Sequence, residues 1–188
     1  MSEKQEKYGY QKPLNHIEQM YDAKIGIPSF DLFEDRLKMV LLYEQVKDIR
    51  MRKQKIAVVG IYIENLSQEK DEQIKNEVLN RVSENLLKVL PVSCTLARGI
   101  NYAFWIMVPF LFTREELEVV MDKVQTVLGR GVKINGLDYR LKSKIGVSLF
   151  ENAPDETVAT MVGKAIVALQ KTISSGQDIV YFNDLSQV

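Results

Sequence analysis

The sequence has very few of the residues that build disulfides and metal sites. It contains one cysteine, Cys94, and one histidine, His16, among 188 residues. A lone cysteine cannot close an intramolecular disulfide, and neither residue has neighbours at the spacing of a zinc site. We therefore expect both residues to be structural or incidental, and we expect no bound metal or cofactor.

The sequence also has no excess of charge of one sign and no long apolar run. Lysine and arginine together number 25, as do aspartate and glutamate. This balance gives no electrostatic reason to expect nucleic acid or an anionic membrane as a partner. Residues 1–7 are polar with no apolar signal core behind them, and no run approaches the roughly 20 apolar residues of a membrane span. We expect a cytoplasmic protein with no membrane insertion.

A hydrophobic core and one domain are what the composition favours. Hydrophobic residues make up 46% of the chain, and 188 residues is a common size for a single domain. The first sixteen residues are polar. We expect 1–16 to be a polar N-terminal arm and 17–188 to be one domain.

Four stretches repeat their apolar residues at helical spacing. The first runs from 30 to about 49, with Ser29 as its cap, and the second covers 74–90. The third begins at Thr113, where the next three residues complete a capping box, and the fourth covers 158–176. These stretches predict four amphipathic helices.

Strands are predicted between these helices. Residues 55–63 form a nearly continuous apolar run, which is typical of a buried central strand, and 103–109 form another. Residues 139–149 alternate as one long strand after an Asn-Gly turn at 135–136, and 179–182 close the chain. We expect residues 110–112 to be buried beneath the third helix, the alternative being an exposed apolar patch. The fold class is therefore α/β, with a mixed or antiparallel sheet of about five strands flanked by helices.

Four segments resemble conserved stretches of GGDEF (diguanylate cyclase) domains. Residues 21–37 are similar to the opening Asp-x-Leu-Thr-Gly-Leu-x-Asn-Arg stretch and the helix after it, and 144–150 to the Ser-Ile-Gly-Val-Ala strand. Residues 163–171 resemble the Ala-Asp-x-Ala-Met-Tyr-x-Ala-Lys helix, and 175–182 the Gly-x-Asn-x-Val-x-Phe close. The resemblance spans about 17 to 182 and implies a palm-like nucleotide-cyclase fold.

The signature of the family is Arg-x-Gly-Gly-Asp/Glu-Glu-Phe. When its first and last residues are aligned with Arg98 and Phe104, the signature falls on a single turn. The matching positions are Arg98, Gly99, Ile100, Asn101, Tyr102, Ala103 and Phe104. Of the five-residue Gly-Gly-Asp/Glu-Glu-Phe core, the final phenylalanine alone is retained. Paired glycines allow positive φ angles, which asparagine tolerates and β-branched isoleucine does not, so the turn is expected to differ at Ile100.

The resemblance implies that the metal ligands of a cyclase have been replaced. A diguanylate cyclase joins two GTP molecules using carboxylates that bind magnesium. The first-strand Asp-x-Asp falls on Tyr62 and Glu64, and the acidic ligand of the signature falls on Tyr102. A phenol with a reference pKa of about 10 is a poor magnesium ligand. Strand alternation predicts that Glu64 shares a face with Tyr62, but one carboxylate does not rebuild a two-metal centre.

The positions that grip guanine and the inhibitory product have changed as well. The helical aspartate that reads guanine in the family falls on Asn76. The inhibitory Arg-x-x-Asp falls on 91–94, with Pro91 and Cys94 at its charged positions. Without a guanidinium or carboxylate, these residues have nothing with which to grip cyclic di-GMP.

These substitutions predict a catalytically inactive regulatory module, or scaffold, that acts by protein–protein interaction in bacterial cyclic di-GMP-linked signalling. No sensor or phosphodiesterase segment is attached in this sequence, so we expect a stand-alone adaptor. Its partner would be another protein, such as a signalling or polarity component. The alternative is a non-catalytic receptor for GTP or cyclic di-GMP with a remodelled pocket, and a third hypothesis is residual cyclase activity through Glu64.

Two interpretations of the turn remain open. Ile100 and Tyr102 could project into solvent and anchor a partner, because this turn is accessible in the family. They could instead fold over the vacated pocket together with Tyr62 and plug it.

Overall fold

A five-stranded sheet lies at the centre of the molecule. The computed structural model describes residues 20–47, 53–150 and 155–185, so the predicted arm, 1–16, lies outside the described residues. The strands are β1 Lys55–Ile63, β2 Thr95–Arg98, β3 Ala103–Leu111, β4 Val132–Ile134, β5 Leu137–Tyr139, β6 Ser143–Phe150 and β7 Ile179–Tyr181. The central sheet has the order β2-β3-β1-β6-β7, with β6 and β7 parallel and the other pairs antiparallel. The predicted mixed sheet is confirmed.

Helices cover both faces of this sheet. They are α1 Phe30–Val46, α2 Glu72–Val89, α3 Arg114–Arg130, α4 Val158–Ser175 and α5 Phe182–Leu185, with a 3₁₀ turn at Glu64–Ser67. The larger core packs α2 and α3 on one face, and the smaller core packs α1 and α4 on the other. Among the described residues, no helix combines the length and the apolar character that crossing a bilayer requires.

The helix ends largely follow the predicted caps. The Ser29 hydroxyl accepts a hydrogen bond from the backbone N–H of Leu32, as predicted. Thr113 likewise caps α3, but its capping box is incomplete because the Glu116 carboxylate accepts from Phe112 N. Helix α4 ends at Ser175 and is followed by a glycine in the left-handed conformation, as predicted.

The predicted long strand 139–149 is wrong, since two strands occupy this region. Asn135 and Gly136, with φ of 51° and 81°, form the predicted turn, but it joins β4 to β5 in a separate two-stranded sheet. The chain between β5 and β6 is bound elsewhere: the Asn65 amide donates to Arg140 O at 3.0 Å and accepts from Lys142 N at 2.9 Å. Side-chain alternation continues through this connection although its backbone has left the sheet.

The end of β3 also departs from the prediction. The pairing of β1 with β3 shifts by one residue after Val108, so β3 carries an extra residue. Phe110 takes a φ of 63° within this bulge. As a result Phe110 and Phe112 are 46% and 40% exposed. The predicted burial of 110–112 is therefore wrong for the two phenylalanines, whereas Leu111 between them is buried.

Two facing glycines make room for neighbouring groups on the central sheet. Gly60 and Gly146 face each other across β1 and β6. A Cβ on Gly60 would stand 3.1 Å from the Trp105 ring, and a Cβ on Gly146 would overlap the backbone of Ala165 and Leu169 in α4. The glycine of the Ile-Gly-Val segment is therefore required for α4 to lie directly on β6.

Candidate functional site

The turn between β2 and β3 is closed by the side chain of Arg98. Arg98 pairs with Phe104 in the last rung of the hairpin. Its Nη1 donates to the carbonyl oxygens of Gly99, at 2.8 Å, and Ala103, at 2.6 Å. Gly99 N also donates to Ala103 O at 2.9 Å. Backbone and guanidinium together hold the turn in one conformation.

The left-handed residues of this turn are not where the signature alignment predicts strain. Asn101 and Tyr102 have φ of 48° and 66°, and Ile100 is not among the positive-φ residues. The expected conflict at Ile100 therefore does not arise, because the left-handed pair falls one residue later. Asparagine accepts this conformation readily, whereas in tyrosine it costs about 1–2 kcal/mol.

Packing of the Tyr102 side chain compensates for that cost. Its ring lies against the larger core, and the Lys75 ammonium is 5.4 Å from the ring centroid. Lys75 itself is 8% exposed, and its Nζ donates to the Glu72 carboxylate at 2.7 Å. The pKa of Lys75 is raised, chiefly by the hydrogen bond to Glu72 and to a smaller extent by the neighbouring Tyr102 hydroxyl. The turn is thereby tied to the first turns of α2.

Ile100 and Tyr102 face in different directions. Tyr102 folds inward, while Ile100 is 81% exposed at the tip of the turn. Tyr62 does not join Tyr102: in β1, Ile61 and Ile63 face the larger core, so alternation directs Tyr62 to the opposite face of the sheet. The structure therefore does not bring the two tyrosines together over one pocket.

Glu64 follows the last residue of β1. Strand β1 ends at Ile63 and Glu64 begins the 3₁₀ turn, where its N–H donates to Lys142 O at 2.7 Å. Glu64 lines a cavity of about 340 Å³ together with Asp178 and with Lys144, the residue that pairs with Tyr62 across β1 and β6. That Glu64 shares a strand face with Tyr62 stays a prediction.

A second cavity, of about 310 Å³, adjoins the turn. Its lining residues are Asp22, Ala23, Lys24, Ile25, Asn76, Leu79 and Arg98. The Asp22 carboxylate accepts from the N–H groups of Lys24 and Ile25, both at 2.9 Å, which folds the opening segment into one wall. Burial lowers the pKa of Arg98, and the charge of Asp22 opposes that shift. We call this space the turn cavity.

Sequence reasoning singled out Asn76 and Arg98 but did not bring the opening segment to the same place. Asp22 belongs to the motif that resembles the start of the family, which was a usable signal. The position of Arg98 across the cavity from Asp22 could not be predicted, because the bridge between Ser29 and Arg98 and the hydrogen bond from Arg98 N to Pro28 O join segments that are distant in sequence.

The residues at the inhibitory-site positions form the connection from α2 to β2. Cys94 N donates to Pro91 O at 2.9 Å, so the segment is a tight turn. Burial raises the pKa of the Cys94 thiol to about 11, which keeps it neutral. No residue from 91 to 94 carries a charge.

Metal-binding side chains do not converge in the described ranges. Within 20–47, 53–150 and 155–185, no three histidine, cysteine, aspartate or glutamate side chains lie together as a metal would require. Among the predicted metal-site positions, Glu64 alone carries a carboxylate.

Comparison with known proteins identifies the fold. No protein-family model and no curated protein matches the chain. Its structure is similar to the GGDEF domain of DgcB from Caulobacter crescentus in complex with c-di-GMP, with a TM-score of 0.74, 13% identity, and coverage of 87% of this chain and 96% of that chain. It is also similar to the diguanylate cyclase SiaD of Pseudomonas aeruginosa, in complex with its activator SiaC, with a TM-score of 0.70 and 18% identity over 90% of this chain and 65% of SiaD.

A third similar structure is a diguanylate cyclase/phosphodiesterase from Caldicellulosiruptor saccharolyticus, with a TM-score of 0.70, 16% identity, and coverage of 89% and 95% of the two chains. The chain is thus an α/β protein of the palm-like type, with a central mixed sheet flanked by helices. More narrowly, it has the fold of GGDEF domains, as the sequence predicted.

Proposed function

We propose that the chain is a catalytically inactive GGDEF-fold module that regulates bacterial cyclic di-GMP-linked signalling by contacting another protein. The observation that carries the proposal is the orientation of Tyr102. At the position that the alignment gives to the signature's acidic ligand, a tyrosine ring packs against the larger core, and its centroid lies 5.4 Å from the Lys75 ammonium. Magnesium prefers carboxylate oxygens, so a phenol held beside an ammonium group is a poor ligand for it.

Lys75 adds a second obstacle to metal binding. Its ammonium lies beside Tyr102, and the carboxylate it is paired with, Glu72, is on the solvent side. A divalent cation brought to this turn would meet a positive charge that the fold has already buried. Tyr62, on the other face of the sheet, supplies no carboxylate either. Both arguments support loss of cyclase chemistry.

The turn supplies a surface suited to a protein partner. Ile100 is 81% exposed, and the Arg98 clamp beneath it limits the motion of the turn. A rigidly held, exposed aliphatic side chain costs little entropy when it becomes buried, which favours it as an anchor. SiaD, which has a similar fold, forms a complex with a protein, its activator SiaC. The partner we propose is a signalling or polarity component.

The enzymatic part of the proposal is tested with purified protein, GTP and either magnesium or manganese. We expect no cyclic di-GMP by chromatography after prolonged incubation. Product that disappears in Glu64→Ala would contradict the proposal and would favour residual cyclase activity through that carboxylate.

The interaction part is tested with matched baits. Partners are captured from cell extract with the wild type, with Ile100→Ser, and with Leu137→Ser, which removes an aliphatic side chain of similar size that is 75% exposed on β5. We expect Ile100→Ser to lose partners that the other two baits retain. Identical profiles for all three would exclude the turn as the contact surface.

A second candidate function is supported by the turn cavity. It contains Asn76, which corresponds to the guanine-reading position of the family, beside the turn. A non-catalytic receptor for GTP or cyclic di-GMP would use this space. Titration calorimetry with each ligand, in the presence of magnesium, decides the matter: saturable heat that Asn76→Ala weakens supports a receptor, and no heat with either ligand excludes it.

A further inference from the structure

The turn cavity has polar groups whose bonding is incomplete. Lys24 and Asn76 line it, and within the described ranges neither side chain makes a hydrogen bond or ion pair. The Asp22 carboxylate is occupied by two backbone N–H groups, and its charge is offset by Arg98. The lining thus retains one uncompensated positive charge, from Lys24, and an amide that is free to donate.

The floor of the cavity is apolar. Leu79 is buried and Ile25 packs against the larger core beside it. At about 310 Å³ the space is at the lower limit of ligand pockets, which run from about 300 to 1,000 Å³. It suits one flexible side chain better than a dinucleotide. Methylene groups over Leu79 and a carboxylate at Lys24 and Asn76 would satisfy both parts of the lining.

Arg98 couples this cavity to the exposed tip of the turn. Its side chain forms part of the cavity wall and also donates to the carbonyls of Gly99 and Ala103. The position of Ile100 relative to the cavity is therefore fixed. An occupant of the cavity and a group packed on Ile100 can belong to one short segment.

We propose that the turn cavity receives a glutamate side chain of a partner protein, while a large apolar residue close to that glutamate in the same segment packs on Ile100. This inference rests on the proposed function, since it specifies the partner chemistry at the same turn. The positive charge at Lys24 favours glutamate over glutamine, and the apolar floor favours its longer side chain over aspartate.

The test is an NMR titration of the isotope-labelled full chain with two blocked dipeptides. The probes are acetyl-Glu-Leu-amide and acetyl-Gln-Leu-amide, which differ in charge alone. We expect the glutamate probe to shift the amide signals of residues 22–25, 76 and 99–101, with a dissociation constant at least about fivefold lower than that of the glutamine probe. Lys24→Met should remove the difference. Lys123→Met, which removes an exposed lysine from α3, should keep it.

Equal dissociation constants for the two probes, or an equal loss in both variants, would overturn the proposal. Shifts of the same signals by guanosine monophosphate but not by the glutamate probe would overturn it in favour of a nucleotide site. Failure here is distinguishable from failure of the proposed function. Loss of partner capture by Ile100→Ser, with no glutamate preference, would leave the interaction module standing and remove the glutamate, whereas cyclic di-GMP production would remove the inactive module itself.

Discussion

Two regions of the molecule align with glycine positions of GGDEF domains: the contact between β6 and α4, and the turn between β2 and β3. They differ in whether the glycine is present. At the helix contact the glycine is retained, because a side chain on Gly146 would overlap the α4 backbone. At the turn, the alignment sets Ile100 and Asn101 on the two glycine positions of the signature, and the chain still turns. A glycine required by backbone packing has no substitute, whereas a glycine required for ligand approach would lose its purpose in the inactive module that we propose.

The largest effect is expected at the helix contact. Gly146→Ala should destabilise the protein by about 3 kcal/mol, because α4 must separate from the sheet to admit a methyl group. Urea unfolding followed by circular dichroism measures this. Gly163→Ala is the matched control, since that glycine lies in α4 with nothing near its missing Cβ. It should stabilise the helix by about 0.5–1 kcal/mol. Similar effects at both positions would contradict the close approach.

A smaller loss is expected from removal of the clamp on the turn. Arg98→Met should cost about 2 kcal/mol, because the carbonyls of Gly99 and Ala103 lose a charged donor. Amide exchange of residues 99–103 should accelerate more than exchange in the core. Arg81→Met removes an exposed arginine paired with Glu77 and Glu84 on α2, and should change stability by less than about 0.5 kcal/mol. Unchanged exchange in Arg98→Met would show that the backbone alone holds the turn.

The elements that the sequence predicted well are those with one dominant periodicity. Strand β1 coincides with the apolar run 55–63, and α4 ends at its predicted glycine. The single strand predicted over 139–149 failed for a physical reason. Side chains in the connection between β5 and β6 keep the alternation of a strand, but its backbone bonds to Asn65, which is distant in sequence.

The candidate site was less predictable than the fold. The signature alignment located the turn, yet it assigned the backbone conflict to Ile100 when the left-handed residues are Asn101 and Tyr102. Lys75 gave no signal at all. A lysine on an amphipathic helix is expected to face solvent, but Lys75 is 8% exposed and its ammonium lies 5.4 Å from the centroid of the Tyr102 ring. Such a contact depends on how the turn packs against α2, and the local sequence pattern of either element does not encode that packing.

The helix contact also contains an unsatisfied polar group, and its removal should be favourable. Ser148 on β6 is 1% exposed, and its hydroxyl has no hydrogen-bond partner among the residues that the structure describes. Ser148→Ala should stabilise the protein by about 1 kcal/mol, because a buried unpaired hydroxyl is costly. Ser83→Ala is the matched control: Ser83 is buried to a similar degree, but its hydroxyl donates to Asn80 O at 2.8 Å. A midpoint shift of the same sign and size in both variants would contradict the distinction.

The smallest effect separates the two positions of the turn that the alignment sets on the glycines of the signature. Asn101→Gly should stabilise the protein by about 0.5 kcal/mol, since glycine takes a positive φ without steric cost. Ile100→Gly should instead destabilise it by about the same amount, because a residue outside the left-handed region gains only freedom in the unfolded chain. Unfolding midpoints of both variants, measured in one denaturant series, give the comparison. Stabilisation by Ile100→Gly would mean that the left-handed pair begins one residue earlier, which would turn Tyr102 away from Lys75 and remove the main support for an inactive module.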